Sequence, residues 1–135
     1  MSDSEVYSRY RLSRVINASG TMTALGASSV LPDGIAAGAS IQPHFVLISE
    51  LQARASEAIA RATGAQAGCV TACSAAGMTI GIAAAMTGCD LARIERLPDT
   101  DGLRDEVVIQ AGHRINYGAP VDQAIRLAGA RVVSV

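Results

Sequence analysis

The stretch from Gly64 to Gly88, GAQAGCVTACSAAGMTIGIAAAMTG, constrains this 135-residue chain more than any other. An apolar run, Cys69-Val70-Thr71-Ala72-Cys73, breaks at Ser74-Ala75-Ala76-Gly77, and a long small-residue segment follows. The pattern predicts a strand, a tight turn, and a helix whose first turn carries almost no side chain. Bare N–H groups at a helix N-terminus, backed by the positive end of the macrodipole, suit a phosphate. Ser74 is expected to be the N-cap and to offer its hydroxyl to the anion. Small residues in the same places also suit a helix lying close on a sheet, so the pattern alone leaves both readings open. Two familiar phosphate loops are excluded. The P-loop needs a lysine, of which there is none, and Gly77, Gly81 and Gly88 do not give GxGxxG.

Half of the residues are hydrophobic, yet the chain has one Phe, three Tyr and no Trp. Its core must therefore be built from Ala, Val, Ile and Leu, as in α/β enzymes. The net charge is −1 and the basic residues are scattered arginines, which gives no track for a polyanion such as tRNA. The polar start, Met1-Ser2-Asp3-Ser4-Glu5, does not resemble a signal peptide, and no apolar run is long enough for a bilayer. A cytoplasmic protein with no membrane partner is expected. Cys69, Cys73 and Cys89 lack metal-ligand spacing. On a strand, Cys69 and Cys73 would share a face about 13 Å apart, too far for a disulfide. All three are expected to be buried as small hydrophobes.

Along the chain, residues 1–13 read as a polar arm. Val15 to Ser29 reads as a polar, glycine-containing loop suited to lining a site, followed by a turn at Pro32-Asp33-Gly34. A helix is predicted from Pro43 to Thr63, with Phe45, Ile48, Leu51, Ala55, Ile59 and Ala62 on its apolar face and Gly64 closing it. Glu50 with Arg54, and Glu57 with Arg61, are spaced as i,i+4 ion pairs. Asp90 to Asp105 reads as a charged loop or short hairpin. A strand at Glu106 to Gln110 then leads to His113. A short helix follows, with Pro120 near its start and Gly129 at its end, and a last strand begins at Val132. Strand–helix–strand–helix–strand predicts an α/β fold with a parallel sheet. The boundaries are 1–41 for the arm and site-lining loop and 42–135 for the α/β portion.

With those residues in place, the chain resembles the N-terminal third of a pyridoxal-phosphate enzyme of the aspartate-aminotransferase fold (fold type I). Within it, the resemblance is to the selenocysteine synthase (L-seryl-tRNA selenium transferase)-like family, which includes D-glucosaminate-6-phosphate ammonia-lyase-like members. The residues that carry it are Arg14-Val15-Ile16-Asn17-Ala18-Ser19-Gly20-Thr21, Arg61-Ala62-Thr63-Gly64-Ala65-Gln66-Ala67 leading into the phosphate turn, and Gly112-His113.

The resemblance implies a partial large domain of parallel strands and packed helices, with pyridoxal 5′-phosphate as cofactor in the full-length context. It places the cofactor phosphate on Ser74, Ala75 and Ala76, and the cofactor ring against His113. It also brings Asn17, Thr21 and Thr23 toward an amino-bearing small-molecule substrate, and implies a homo-oligomer, dimer or higher. His44 is expected on the surface, in the first turn of the long helix. No catalytic residue is assigned, because the family's cofactor-bearing lysine falls beyond residue 135 and this chain has no lysine. Ala72-Cys73-Ser74 stands where selenium transferases carry an Asn-rich run, which favours a lyase-like branch over selenium transfer. The chain is thus expected to be a fragment of a longer lyase or transferase, not competent alone. The alternatives are a truncated non-catalytic product that associates with a longer paralogue, or a small phosphate-binding α/β domain.

Overall fold

Two β-branched runs form a parallel pair in the computed structural model, which describes residues 3–135. These are β1 (Glu106–Ile109) and β2 (Arg131–Ser134), in the register Val107 to Val132 and Val108 to Val133. Between them runs α6 (Val121–Leu127), opened by Pro120 and followed by Gly129 at φ 88°. Only glycine fits at that turn. A Cβ there would also strike the Pro98 carbonyl. Along β1 and β2, Val107, Ile109 and Val132 turn inward onto Met86, Ile125, Ala128 and Ala130, the small core of the Leu47–Val135 unit.

The remaining helices of this unit are α3 (Ile48–Thr63), α4 (Ser74–Thr87) and α5 (Leu91–Arg96). Helix α4 lies on α6, and the Thr79 hydroxyl donates 2.8 Å to the Ala124 carbonyl. Helix α3 ends as expected at Gly64, φ 75°, but starts five residues later than Pro43. The His44 N–H closes the preceding helix on Ile41 instead, and Leu47 accepts the first bonds of α3 from Glu50 and Leu51. Phe45 therefore falls outside the helix and is fully exposed. The two expected i,i+4 pairs are absent; Arg54 bonds Glu57 one position closer, at 2.9 Å. Asp90 to Asp105 is not a hairpin. Asp90 caps α5 by accepting from the N–H groups of Ala92 and Arg93.

The expected strand at Cys69 to Cys73 is not a strand either. No neighbouring strand lies beside it among the described residues, and α3 holds it instead. The Gln52 amide donates 2.8 Å to the Val70 carbonyl and accepts from the Val70 N–H at 3.2 Å, as a β-partner would. One turn along, the Ser56 hydroxyl accepts from the Gly68 N–H at 2.9 Å. A Cβ on Gly68 would come within 2.5 Å of Ile59. The cysteines, expected to be buried, are all exposed, because nothing covers the Cys69–Cys73 segment or the turn after α4 that carries Cys89.

The Met1–Val46 unit, taken by itself, contains α1 (Asp3–Tyr10), a 3-10 turn at Thr23–Leu25 and α2 (Pro32–Ile41). Pro32 opens α2 at its first turn with Asp33 behind it, so residues read as a turn are a helix start. None of this unit's residues with described burial is buried.

The exposed area is large for the chain length. The accessible surface is 10819 Å². Even two separate compact bodies of the lengths of these units would expose only about 7,900 Å². No described helix is long and apolar enough to cross a membrane.

One buried charge organises the carboxyl end of the sheet. Asp122, in the first turn of α6, accepts from Arg114 at 3.0 Å and Arg126 at 2.7 Å. Hydrogen bonding from Arg114, reinforced by Arg126, holds its carboxyl below the usual carboxylate range against the opposing effect of burial. A group depressed in this way stabilises the fold above its unfolded pKa, and the contribution is lost as pH falls through the folded value. Asp122→Asn is expected to lower the denaturation midpoint at neutral pH. The gap from the parent chain should close below about pH 4; a gap independent of pH would show that the charge is not what matters. Gly129→Ala, measured the same way, is expected to cost about 2–4 kcal/mol from the left-handed φ and the overpacking together.

Candidate functional site

The first turn of α4 differs from expectation by one residue. Cys73, not Ser74, is the N-cap; its backbone is extended at φ −164°, and its thiol accepts from the Ala76 N–H at 3.5 Å. Ser74 is the first helical residue. The Gly77 N–H is already used within the helix, on the Cys73 carbonyl at 3.0 Å. Neither the Ser74 and Ala75 N–H groups nor the Ser74 hydroxyl has a protein partner among the described residues. Three donors thus remain at the positive end of a 14-residue helix, and Ser74 and Ala75 are exposed. Thr71 closes the turn by donating 3.0 Å to the Cys73 carbonyl. Its hydroxyl lies 3.3 Å from where a Cβ on Gly77 would sit, so the turn needs a small residue there.

The α4–α6 packing fixes which end of the sheet this turn occupies. Thr79 meets Ala124 midway along α6, while Met86, two turns on, clusters with Ile125, Ala128 and Ala130, from the last turn of α6 onward. The two helices therefore run the same way. Because α6 starts from the carboxyl end of β1, the Ser74 turn lies at that end too.

His113 also lies there, in the 3-10 turn Ala111–His113 that follows β1. Its backbone N–H donates to Gln110 at 2.9 Å, and its carbonyl accepts from Ile115 at 2.9 Å. The imidazole is exposed, and the neighbouring Arg114 is tied to Asp122. Ser74, Ala75, Ala76 and His113 are thus gathered at one end of one unit. In open α/β sheets the crevice outside the carboxyl ends of the strands is where ligands bind. The Arg114–Asp122 anchor of the histidine turn was not foreseen; the only hint of it was an acidic residue in the first turn of α6.

Asn17, Thr21 and Thr23 lie in the Met1–Val46 unit. The Asn17 amide is spent on its own loop, donating 2.7 Å to the Gly20 carbonyl and accepting from the Ser19 N–H at 2.9 Å. Asn17 borders an open hollow with Tyr7, Leu12 and the 24–29 turn, which Thr21 and Thr23 do not line. His44 is exposed in the segment between α2 and α3, not in the first turn of α3. No cluster of metal ligands occurs among the described residues.

No family model matches the chain. The chain is 45% identical over 130 residues to the D-glucosaminate-6-phosphate ammonia lyase of Salmonella typhimurium (strain 14028s / SGSC 2262), a match covering 96% of this chain and 35% of that protein. It is 40% identical over 124 residues to a 5′-C-glycyluridine monooxygenase-decarboxylase of a Streptomyces species, covering 90% and 31% respectively. A solved structure of D-glucosaminate-6-phosphate ammonia-lyase matches with a TM-score of 0.90 at 45% identity, again over 96% of this chain and 35% of the other. The chain spans about a third of the length of the relatives it matches. It is therefore homologous to the N-terminal third of a D-glucosaminate-6-phosphate ammonia lyase and shares the fold of that part.

Proposed function

We propose that this chain supplies the cofactor-phosphate cradle of a pyridoxal-phosphate enzyme of the ammonia-lyase type, acting on an amino-bearing substrate. Pyridoxal 5′-phosphate is the cofactor expected in the full-length context of such relatives. One observation carries the reading: unpaired donors at the N-terminus of α4 stand at the same end of the sheet as His113. The donor set fits a phosphate. It offers two N–H groups and a hydroxyl, backed by a helix dipole equivalent to about half a positive charge. Ala75 and Ala76 keep side chains out of the anion's path. When bound, the cofactor supplies an electron sink for carbanion chemistry at the amino-bearing carbon.

The chain's own contribution is to bind and orient. The Ser74 hydroxyl and the Ser74 and Ala75 N–H groups hold the phosphate, and His113 offers a flat face to the ring. Asp122, through Arg114, holds the segment that carries His113. No side chain here can carry the cofactor covalently in the way a lysine does, so that role falls to residues outside this chain. The two relatives are named for different reactions, a lyase and a monooxygenase-decarboxylase, and this third is similar to both. That supports a role common to both chemistries, with the choice of reaction made elsewhere.

In the full-length protein, Ala75→Asp is expected to raise the Kd for pyridoxal 5′-phosphate at least about tenfold, since a carboxylate repels the phosphate and competes for the same dipole. Pyridoxal without the phosphate should bind as before, and equal loss of both ligands would defeat the cradle. Borohydride treatment of the 135-residue chain with pyridoxal 5′-phosphate is expected to label only its N-terminal amine. Peptide mapping that finds an internal adduct would show a nucleophile this reading lacks.

A further inference from the structure

We propose that the Arg114 guanidinium is a second anion-binding group at the carboxyl end of the sheet, holding a carboxylate or phosphate carried by the substrate and not the phosphate of the cofactor. This rests on the functional reading above and narrows its substrate to an amino-bearing anion.

Charge is scarce at this end of the unit. Residues 64–89 and 107–135, which supply the phosphate turn, α4, α6 and the histidine turn, contain three arginines and a single acidic residue, Asp122. Arg131 belongs to the opposite end, where it pairs with Asp105 and Glu106 at the start of β1. Arg126 and Arg114 are left to share Asp122, and both contact the same oxygen, Oδ2, at 2.7 and 3.0 Å. One carboxylate balances one guanidinium. Arg126 makes the shorter bond, from the same helix, so a positive charge is left over on the Arg114 side of the cluster.

Arg114 is also built to use that charge. Its side chain is 44% exposed where that of Asp122 is 9%. Only one Nη is engaged, and the rest of the fork has no partner among the described residues. Its backbone N–H is held by the Ala111 carbonyl at 3.2 Å, and the loop beyond it is closed by the Val121 N–H on the Ile115 carbonyl at 3.0 Å. An arginine already held in place loses less freedom on taking a ligand than a free one. Its planar fork matches pairs of carboxylate or phosphate oxygens.

Helix register sets the arginine beside the cradle. Helices α4 and α6 run the same way with Thr79 against Ala124. Asp122, two residues before Ala124, therefore stands level with Gly77, about one turn in from Ser74. With packed helices about 8–10 Å apart, that puts it roughly 10 Å from the Ser74 turn. Arg114 directly follows His113 in the chain. It thus serves the same crevice, at a distance too great to be one of the donors on an anion held by Ser74 and Ala75.

The test uses the full-length protein loaded with pyridoxal 5′-phosphate, with D-gluconate 6-phosphate as the probe. That compound carries a carboxylate and a phosphate but no amino group to react. By isothermal titration calorimetry, Arg114→Gln is expected to raise the Kd of the probe at least about tenfold and to leave that of pyridoxal 5′-phosphate unchanged. Arg114→Lys, which keeps the charge but not the fork, should restore part of the affinity. D-Gluconate and D-glucitol 6-phosphate then separate the two sources: the one that Arg114→Gln weakens carries the group that Arg114 holds.

An unchanged Kd for the probe would overturn the inference, as would a parent protein that does not bind it. A loss confined to pyridoxal 5′-phosphate would place Arg114 on the cofactor, and an equal loss of both ligands would make it a structural residue; either defeats the proposal. If Arg114→Gln does not fold, a crystal structure of the loaded parent with the probe decides. A carboxylate or phosphate oxygen within about 3.2 Å of the guanidinium is expected there, and an anion bound elsewhere refutes it. Full-length protein that binds no pyridoxal 5′-phosphate defeats the functional reading itself, and this inference with it.

Discussion

The close contact of α4 with α6 is the constraint on which the rest of the Leu47–Val135 unit depends. Ala124, Ala128 and Ala130 are buried with Met86, and small side chains on α6 let the Thr79 hydroxyl reach a main-chain carbonyl across the helix pair. That one bond and the Met86 contact set the direction of α4 relative to α6. Since α6 is the crossover between two parallel strands, its direction is fixed by the sheet. The helix N-terminus with its unpaired donors therefore lies where the strands end, and the histidine turn is delivered to the same place by β1. Placement of the candidate site is a consequence of crossover geometry. The polar residues then refine it.

Only one charge is buried among the described residues, and it is doubly paired. Arg114 and Arg126 favour the ionised form of Asp122 against the opposing effect of burial. The pairing couples the start of α6 to the turn after β1, so the two elements that frame the site cannot drift independently. The ion pairs Arg54–Glu57 and Arg93–Asp90 are exposed and local, and such pairs contribute little, whereas Arg131 of β2 reaches Asp105 and Glu106 at the start of β1.

Legibility in the sequence followed the range of the forces involved. Where local signals agree, the elements were readable: the β-branched runs of β1 and β2, the Pro120 and Gly129 punctuation of α6, Gly64 closing α3, and α4 to within one residue at its cap. The misses have separate physical origins. Pro32-Asp33-Gly34 is as good a helix start as a turn, and only the residues beyond it decide. Pro43 misplaced the start of α3 because the chain first finishes α2 with a bond from His44.

The Cys69–Cys73 segment has strand composition, but a strand is defined by its neighbours, and composition says nothing of whether they are present. Burial of the cysteines failed for the same reason. Of the candidate site, the phosphate turn and His113 could be named from the sequence. Their meeting at one end of the sheet could not, because it depends on a side chain–carbonyl bond between residues 45 positions apart.

Gln52 has a consequence for how this region tolerates change. Its amide reads the main chain of Val70, both donor and acceptor, and takes no notice of the valine side chain. Selection at this contact therefore falls on the reader and not on the residue read. Position 70 is free to accept any side chain that keeps an extended backbone, while Gln52 has no close substitute, since a glutamate cannot donate to the carbonyl and a leucine can do neither. Gly68 is held as tightly, by the Ile59 side chain pressed against its α-carbon. The approach to the phosphate turn is thus specified from α3, and Val70 within it can vary without moving the main chain.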